Sequence, residues 1–229
     1  MNCFLFELSR FRRDRVPFLL WLSLVVVGVA LSSLELLGGG VTILAPYFAA
    51  YLAGSDTAEG LRRGAWDLLV SRGPSLRQWL FARFALAVVA SLLLLGAHAG
   101  AALVRGELPL SQLAQLVTTI LYWAGVGLFL GFWLSGAAIL VLALLGTVFS
   151  TWWLTTGCIV LAKVPAAQLP ELSKAIVAFL GGWSPGSVHS YLGPSGWEWE
   201  VLRLLVWLGM LSWTFWYAGR LPLFAKETS

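Results

Sequence analysis

The sequence predicts an all-α integral membrane protein with six transmembrane helices, and three observations carry that expectation. Of the 229 residues, 59% are hydrophobic and only 11% charged, which leaves a water-soluble domain too little polar surface to cover itself. Residues 108–162 contain no Asp, Glu, Lys or Arg; about 20 apolar residues cross the hydrocarbon core, so this stretch must cross twice. The basic residues, finally, segregate along the chain in the way the positive-inside bias requires.

Taken in order, Phe4, Leu8 and Phe11 recur at helical spacing while Glu7, Arg10 and Asp14 fall on another face. That pattern predicts a helix lying in the membrane interface over residues 1–15, with an ordinary basic flank as the simpler alternative. The apolar run behind it is too long for a signal peptide and no small-residue cleavage site follows, so it reads as a retained first span. Apolar runs between polar or Gly/Pro punctuation then predict spans at 16–36, 40–53, 76–104, 110–134, 136–162 and 201–219. The second is short and contains Pro46.

With the N-terminus inside, the cytoplasmic side collects Arg10, Arg12, Arg13 and Arg15, then Arg62, Arg63, Arg72, Arg77 and Arg83, then Arg220 and Lys226. Arg105, Lys163, Lys174 and Arg203 are left outside, so eleven of the 15 Lys and Arg residues are cytoplasmic. The expected location is the cell membrane, multi-pass, with both termini cytoplasmic. The +4 net charge therefore reports orientation rather than nucleic-acid binding. Trp21, Trp79, Trp133, Trp213 and Trp216 fall near predicted inner ends and Trp183, Trp197 and Trp199 near outer ones, whereas Trp123, Trp152 and Trp153 fall mid-span. The outer segment 163–200 holds "PELSKAIVAFLGGWSP", a short re-entrant helix stopping at Gly181. The whole chain, 1–229, reads as a single membrane domain.

Chemistry is sparse. No G-x-x-x-x-G-K-[ST] phosphate loop is present, and Gly38, Gly39 and Gly40 lack the lysine and the strand-to-helix context of one. His98 and His189 have no second ligand at metal-site spacing, so no metal is expected. Cys3 and Cys158 fall in a predicted cytoplasmic segment and inside a span, so no disulfide between them is expected. "WSPGSVHSY" offers Ser187 and His189 as the nucleophile and base of an intramembrane hydrolase, although Ser and His in a Pro/Gly loop are more often turn chemistry. Glu35, at the edge of span 1, is the only carboxylate in any span, so proton or sodium coupling lacks its usual groups. Gly127, Gly131 and Ser135 align small side chains on one face for helix packing, within the chain or between subunits. Trp123, Trp152 and Trp153 are candidates to line a transport pathway, with packing or lipid contact as the plainer role.

Residues 55–73 interrupt this hydrophobic chain with a dense set of charges. Asp56 and Glu59 have capping-box spacing, and Gly73-Pro74 supplies a stop and a proline suited to the first turn of the next helix. A short helix over 57–72 is predicted, with Leu61, Ala65, Leu68 and Leu69 on one flank and Arg63, Asp67 and Ser71 on the other. Gly60 and Gly64 each weaken it by about 1 kcal/mol relative to Ala, so it needs a surface to lie on. A topological loop touching anionic lipid explains the arginines. It does not require paired acids, Trp66 at mid-helix and a sharp exit.

In this order of elements the chain resembles the permease subunits of ABC-2-type transporters. "DTAEGLRRGAWDLLVSRGPSLRQWLFAR" is similar to their cytoplasmic coupling helix: Glu59-Gly60, Ser71-x-Gly-Pro74 and Arg77 stand where the family has an acid and Gly, Ser-x-Pro and a basic residue. One extra residue precedes the proline here. "GGWSPGSV" is similar to the Ser-Pro after the family's re-entrant segment. The resemblance implies an ATP-driven transporter, an exporter of an amphipathic or lipid-like substrate, with Glu59, Arg62, Arg63, Trp66, Asp67 and Arg72 contacting the ATPase. It also implies two copies of a separate ATPase subunit carrying ATP and Mg, a second permease chain, identical or a paralogue, and no cofactor on this chain. A non-transporting scaffold or immunity protein is the remaining alternative.

Overall fold

A computed structural model of the chain describes residues 3–33, 44–55, 57, 75–104, 110–152, 163, 168, 170–180 and 196–220. Among them are eight helices and no strand. They are α1 (Cys3–Arg13), α2 (Arg15–Ser33), α3 (Leu44–Gly54), α4 (Leu76–Val104), α5 (Leu110–Leu130), α6 (Gly136–Trp152), α7 (Glu171–Leu180) and α8 (Gly196–Ala218). Two segments, Leu76–Ala97 in α4 and Trp197–Ala218 in α8, are long and apolar enough to cross a membrane; Arg15–Val27, Leu116–Leu130 and Gly136–Gly146 are apolar but shorter.

The middle of the bundle is α3. Eleven residues long, it measures about 16 Å, and nearly all of it, from Ala45 to Gly54, is buried. Pro46 sits in its first turn, where a missing N–H costs no helical bond. Three helices pack around it, α5 most closely, then α4 and α6. The α3–α5 contact is backbone to backbone: a Cβ added to Gly127 would lie 2.7 Å from Ala50 Cα, and one added to Gly131 would lie 2.8 Å from Gly54 Cα. Small residues on both faces let the two backbones approach this closely.

Ser135 does not extend this stripe. α5 ends at Leu130, a turn follows, and Ser135 is exposed with its Oγ accepting from the Ala138 N–H at 3.3 Å as the N-cap of α6. The close contact passes instead to Gly136, against Ser55.

Asp14 separates α1 from α2: its carbonyl accepts from the Phe18 N–H at 3.3 Å, and Pro17 occupies the first turn of α2. Across the bend, Phe11 meets Phe18 at 5.8 Å and Trp21 at 6.3 Å, and the Trp21 indole donates to the Ala90 carbonyl at 2.9 Å. The face of α1 turned inward is Phe4, Glu7 and Phe11, while Leu5 and Leu8 are exposed. Glu7 was expected on the polar face; it is 4% exposed, because a buried indole on α4 supplies it with a donor.

Contact order gives the helix directions. Tyr47 and Ala50 of α3 meet Trp123 and Gly127 of α5, and Trp207 and Trp213 of α8 meet Tyr122 and Phe129 of α5, so α3, α5 and α8 run the same way. In the opposite direction run α2 and α4, paired through Trp21 and Ala90, and α6, which leaves the bundle end at Gly136 beside Ser55. Large apolar side chains stay exposed along α2, α6 and α8, among them Val16, Leu22, Val26, Leu145, Leu204 and Leu205. Only 17% of the apolar stretch of α8 is buried, far more exposed apolar surface than a water-facing helix tolerates.

Candidate functional site

One end of the bundle gathers the C-terminal end of α3, the start of α4, the turn before α6, the end of α8 and α1. On α1, Glu7 accepts a hydrogen bond from the Trp79 indole N–H at 2.7 Å, both side chains being buried, and Arg10 lies 3.8 Å from the same carboxylate oxygen. A buried carboxylate is tolerable only with such donors.

The last turn of α3 is gripped from α4. Arg83, 3% exposed, donates from Nε to the Leu52 carbonyl at 3.3 Å and from Nη2 to Ser55 Oγ at 2.7 Å. The Ser55 hydroxyl donates in turn to the Leu52 carbonyl at 3.1 Å, closing a triangle. A helix C-terminus carries unsatisfied carbonyls and partial negative charge, so a forked cation is well matched to it. The Arg83 guanidinium also lies over the Trp79 ring at 4.9 Å, linking the α3 grip to the Glu7 contact.

At the other flank of the charged interval, Ser75 and Gln78 cap α4 reciprocally. The Ser75 N–H donates to Gln78 Oε1 at 3.0 Å, and the Gln78 N–H donates to Ser75 Oγ at 3.3 Å. Pro74, expected in the first turn of this helix, lies outside the described residues. Arg77 Nε donates to the Phe215 carbonyl at 2.9 Å, tying α4 to the end of α8, and Arg220 lies over the Trp216 ring at 4.2 Å. Residues on both sides of the charged interval are thus fixed at one bundle end, alongside the arginines of α1.

Glu59, Arg62, Arg63, Trp66, Asp67 and Arg72 themselves lie outside the described residues, as do Trp153, Ser187, His189 and the side chain of Trp152. Trp123 is 6% exposed and packs edge-on against Tyr47 and Tyr122, its indole N–H without a hydrogen-bond partner among the described residues. It sits between α3 and α5 in the protein interior.

Two of the cations assigned from sequence to the outer side are buried within the protein. Arg203 is 2% exposed inside α8, its guanidinium over the Tyr122 ring at 4.0 Å, and Trp207 donates from Nε1 to the Tyr122 carbonyl at 3.2 Å. Lys174, 8% exposed, pairs with Glu171 at 2.9 Å on α7. The expected span starts at 201 and leaves out Glu198 and Glu200, whereas the helix begins at Gly196 and includes both. Of the contacts missed from sequence, the α4 cap was legible as Ser75-x-x-Gln78, whereas the Glu7–Trp79 and Arg83–Ser55 pairs have no local signature. Comparison with protein families, characterised proteins and solved structures found no match for this chain.

Proposed function

We propose that this chain is the permease subunit of an ATP-driven transporter of the ABC-2 type. It crosses the membrane six times with both termini cytoplasmic, its basic end facing the cytoplasm. A separate ATPase subunit, two copies per two permease chains, docks under the helix over 57–72, and the pair exports an amphipathic or lipid-like substrate. The observation that carries the reading is the mechanical setting of the charged interval: Arg83 ties the end of α3 at Ser55, and the Ser75–Gln78 box starts α4 on the other side. A force applied to the segment between them passes directly into two packed helices. The alternating helix directions, the apolar side chains exposed along α2, α6 and α8, and the arginines gathered at one end support the membrane part of the proposal.

Association with an ATPase tests it. In cells producing the full chain, a phosphate-loop ATPase is expected to copurify with the wild type. Arg63→Glu combined with Trp66→Ala is expected to abolish copurification while the chain still inserts. Association unchanged by the double variant would return the segment to a lipid-contacting loop.

A further inference from the structure

At the basic end, α1, α4 and α8 leave between them a cavity of about 600 Å³, within the roughly 300–1,000 Å³ of small-molecule sites. Phe4, Phe81, Ala85 and Phe215 wall it, and Arg77 with Gln78 forms its polar end. From Arg77 to Ala85 the groove follows α4 for about 12 Å, with the cation toward the basic end of the bundle and the apolar walls running toward its middle. Phe81 is 63% exposed, so the groove opens sideways onto the apolar flank.

The polar end has hydrogen-bonding capacity left over. Arg77 spends Nε on the Phe215 carbonyl, and Gly219 packs against its guanidinium where a side chain would collide. Among the described residues the terminal nitrogens of the guanidinium have no hydrogen-bond partner. Gln78 uses Oε1 on the Ser75 N–H, which leaves its amide N–H groups to donate. Arg220, next to Gly219, lies over the Trp216 ring, and no carboxylate is among the described residues that line the groove.

We propose that this groove binds one anionic glycerophospholipid of the cytoplasmic leaflet, its phosphate on Arg77 and an acyl chain between Phe4, Phe81 and Phe215. The inference rests on the membrane reading above. Guanidinium and phosphate match in charge and fork geometry, and an opening onto the apolar flank admits a chain laterally from a bilayer. A soluble anion gains nothing from the aromatic walls.

Native mass spectrometry of the full chain tests the assignment, using detergent micelles with equimolar phosphatidylglycerol and phosphatidylcholine of identical acyl chains. The wild type is expected to retain one phosphatidylglycerol with several-fold preference. Arg77→Gln, at an exposed position, is expected to bring the preference close to unity, and Ala85→Trp to lower retention of both lipids. Equal retention by the wild type, or a preference that survives both variants, would mean bulk lipid contact only and overturn the site. Competition by glycerol 3-phosphate as effective as by phosphatidylglycerol would overturn the acyl-chain part. Release of the chain from cell membranes by alkaline carbonate would instead sink the underlying membrane reading.

Discussion

Replacing Gly127 by alanine is expected to force α3 away from α5. The added Cβ would lie 2.7 Å from Ala50 Cα and 2.8 Å from its carbonyl carbon, whereas carbon atoms rest at about 3.5–4.0 Å, so the helices must separate by close to 1 Å. Overpacking costs about 1–3 kcal/mol, at the upper end here because the obstacle is backbone and no rotamer relieves it. The better helix propensity of alanine returns about 1 kcal/mol, leaving a net loss near 2 kcal/mol. By the scaling of domains this size, about 2–4 °C per kcal/mol, the unfolding midpoint falls by roughly 4–8 °C. Thermal unfolding in detergent, followed by tryptophan fluorescence, measures it. Gly209→Ala is the control: nothing lies within 4 Å of its added Cβ, so only the propensity gain applies and the midpoint should rise. Ala50→Gly should not rescue Gly127→Ala, because the obstructing atoms are Ala50 backbone. A Gly127→Ala chain as stable as the wild type, or a Gly209→Ala chain as damaged as Gly127→Ala, would refute the close-contact account.

Two further substitutions probe the basic end. Arg83→Leu removes both bonds to the last turn of α3 but leaves Ser55 bonded to the Leu52 carbonyl, so a loss of about 1–3 kcal/mol is expected, with faster proteolysis between residues 56 and 74; Arg83→Lys, lacking the fork, should recover only part of it. Glu7→Gln keeps an acceptor for the Trp79 indole and should unfold close to the wild type, whereas Glu7→Leu orphans that buried N–H and should cost about 1–3 kcal/mol by thermal unfolding.

How much of this was legible in the sequence depends on whether the determinant is local. The helix expected at 76–104 coincides with α4, Leu76–Val104, because a long apolar run lies between the Ser75–Gln78 box and Arg105. The expected end of span 4 overshoots α5 by four residues: Gly131 supplies the small contact surface but also begins the turn to α6. Spacing in the sequence gave no sign that Gly127 meets Ala50, since a stripe of small residues names a face and not its partner. The polar contacts of the basic end were least legible of all. Glu7 and Trp79 are 72 positions apart and Arg83 and Ser55 28, and no periodicity connects them. Arg83 reads in the sequence as one more topological arginine; only packing reveals it as the clamp on α3. Arg203 falls inside the expected span 201–219, but only packing shows the aromatic face of Tyr122 that covers it.

The central claim is that the segment over 57–72 receives a cytoplasmic ATPase. The most direct measurement places a photocrosslinking amino acid at position 66 of the full-length chain in living cells and identifies the products by mass spectrometry. The account predicts an ultraviolet-dependent adduct with a phosphate-loop ATPase that disappears when Arg63→Glu is added. Adducts with lipid alone, in cells where the chain is correctly inserted and the ATPase is present, would contradict it.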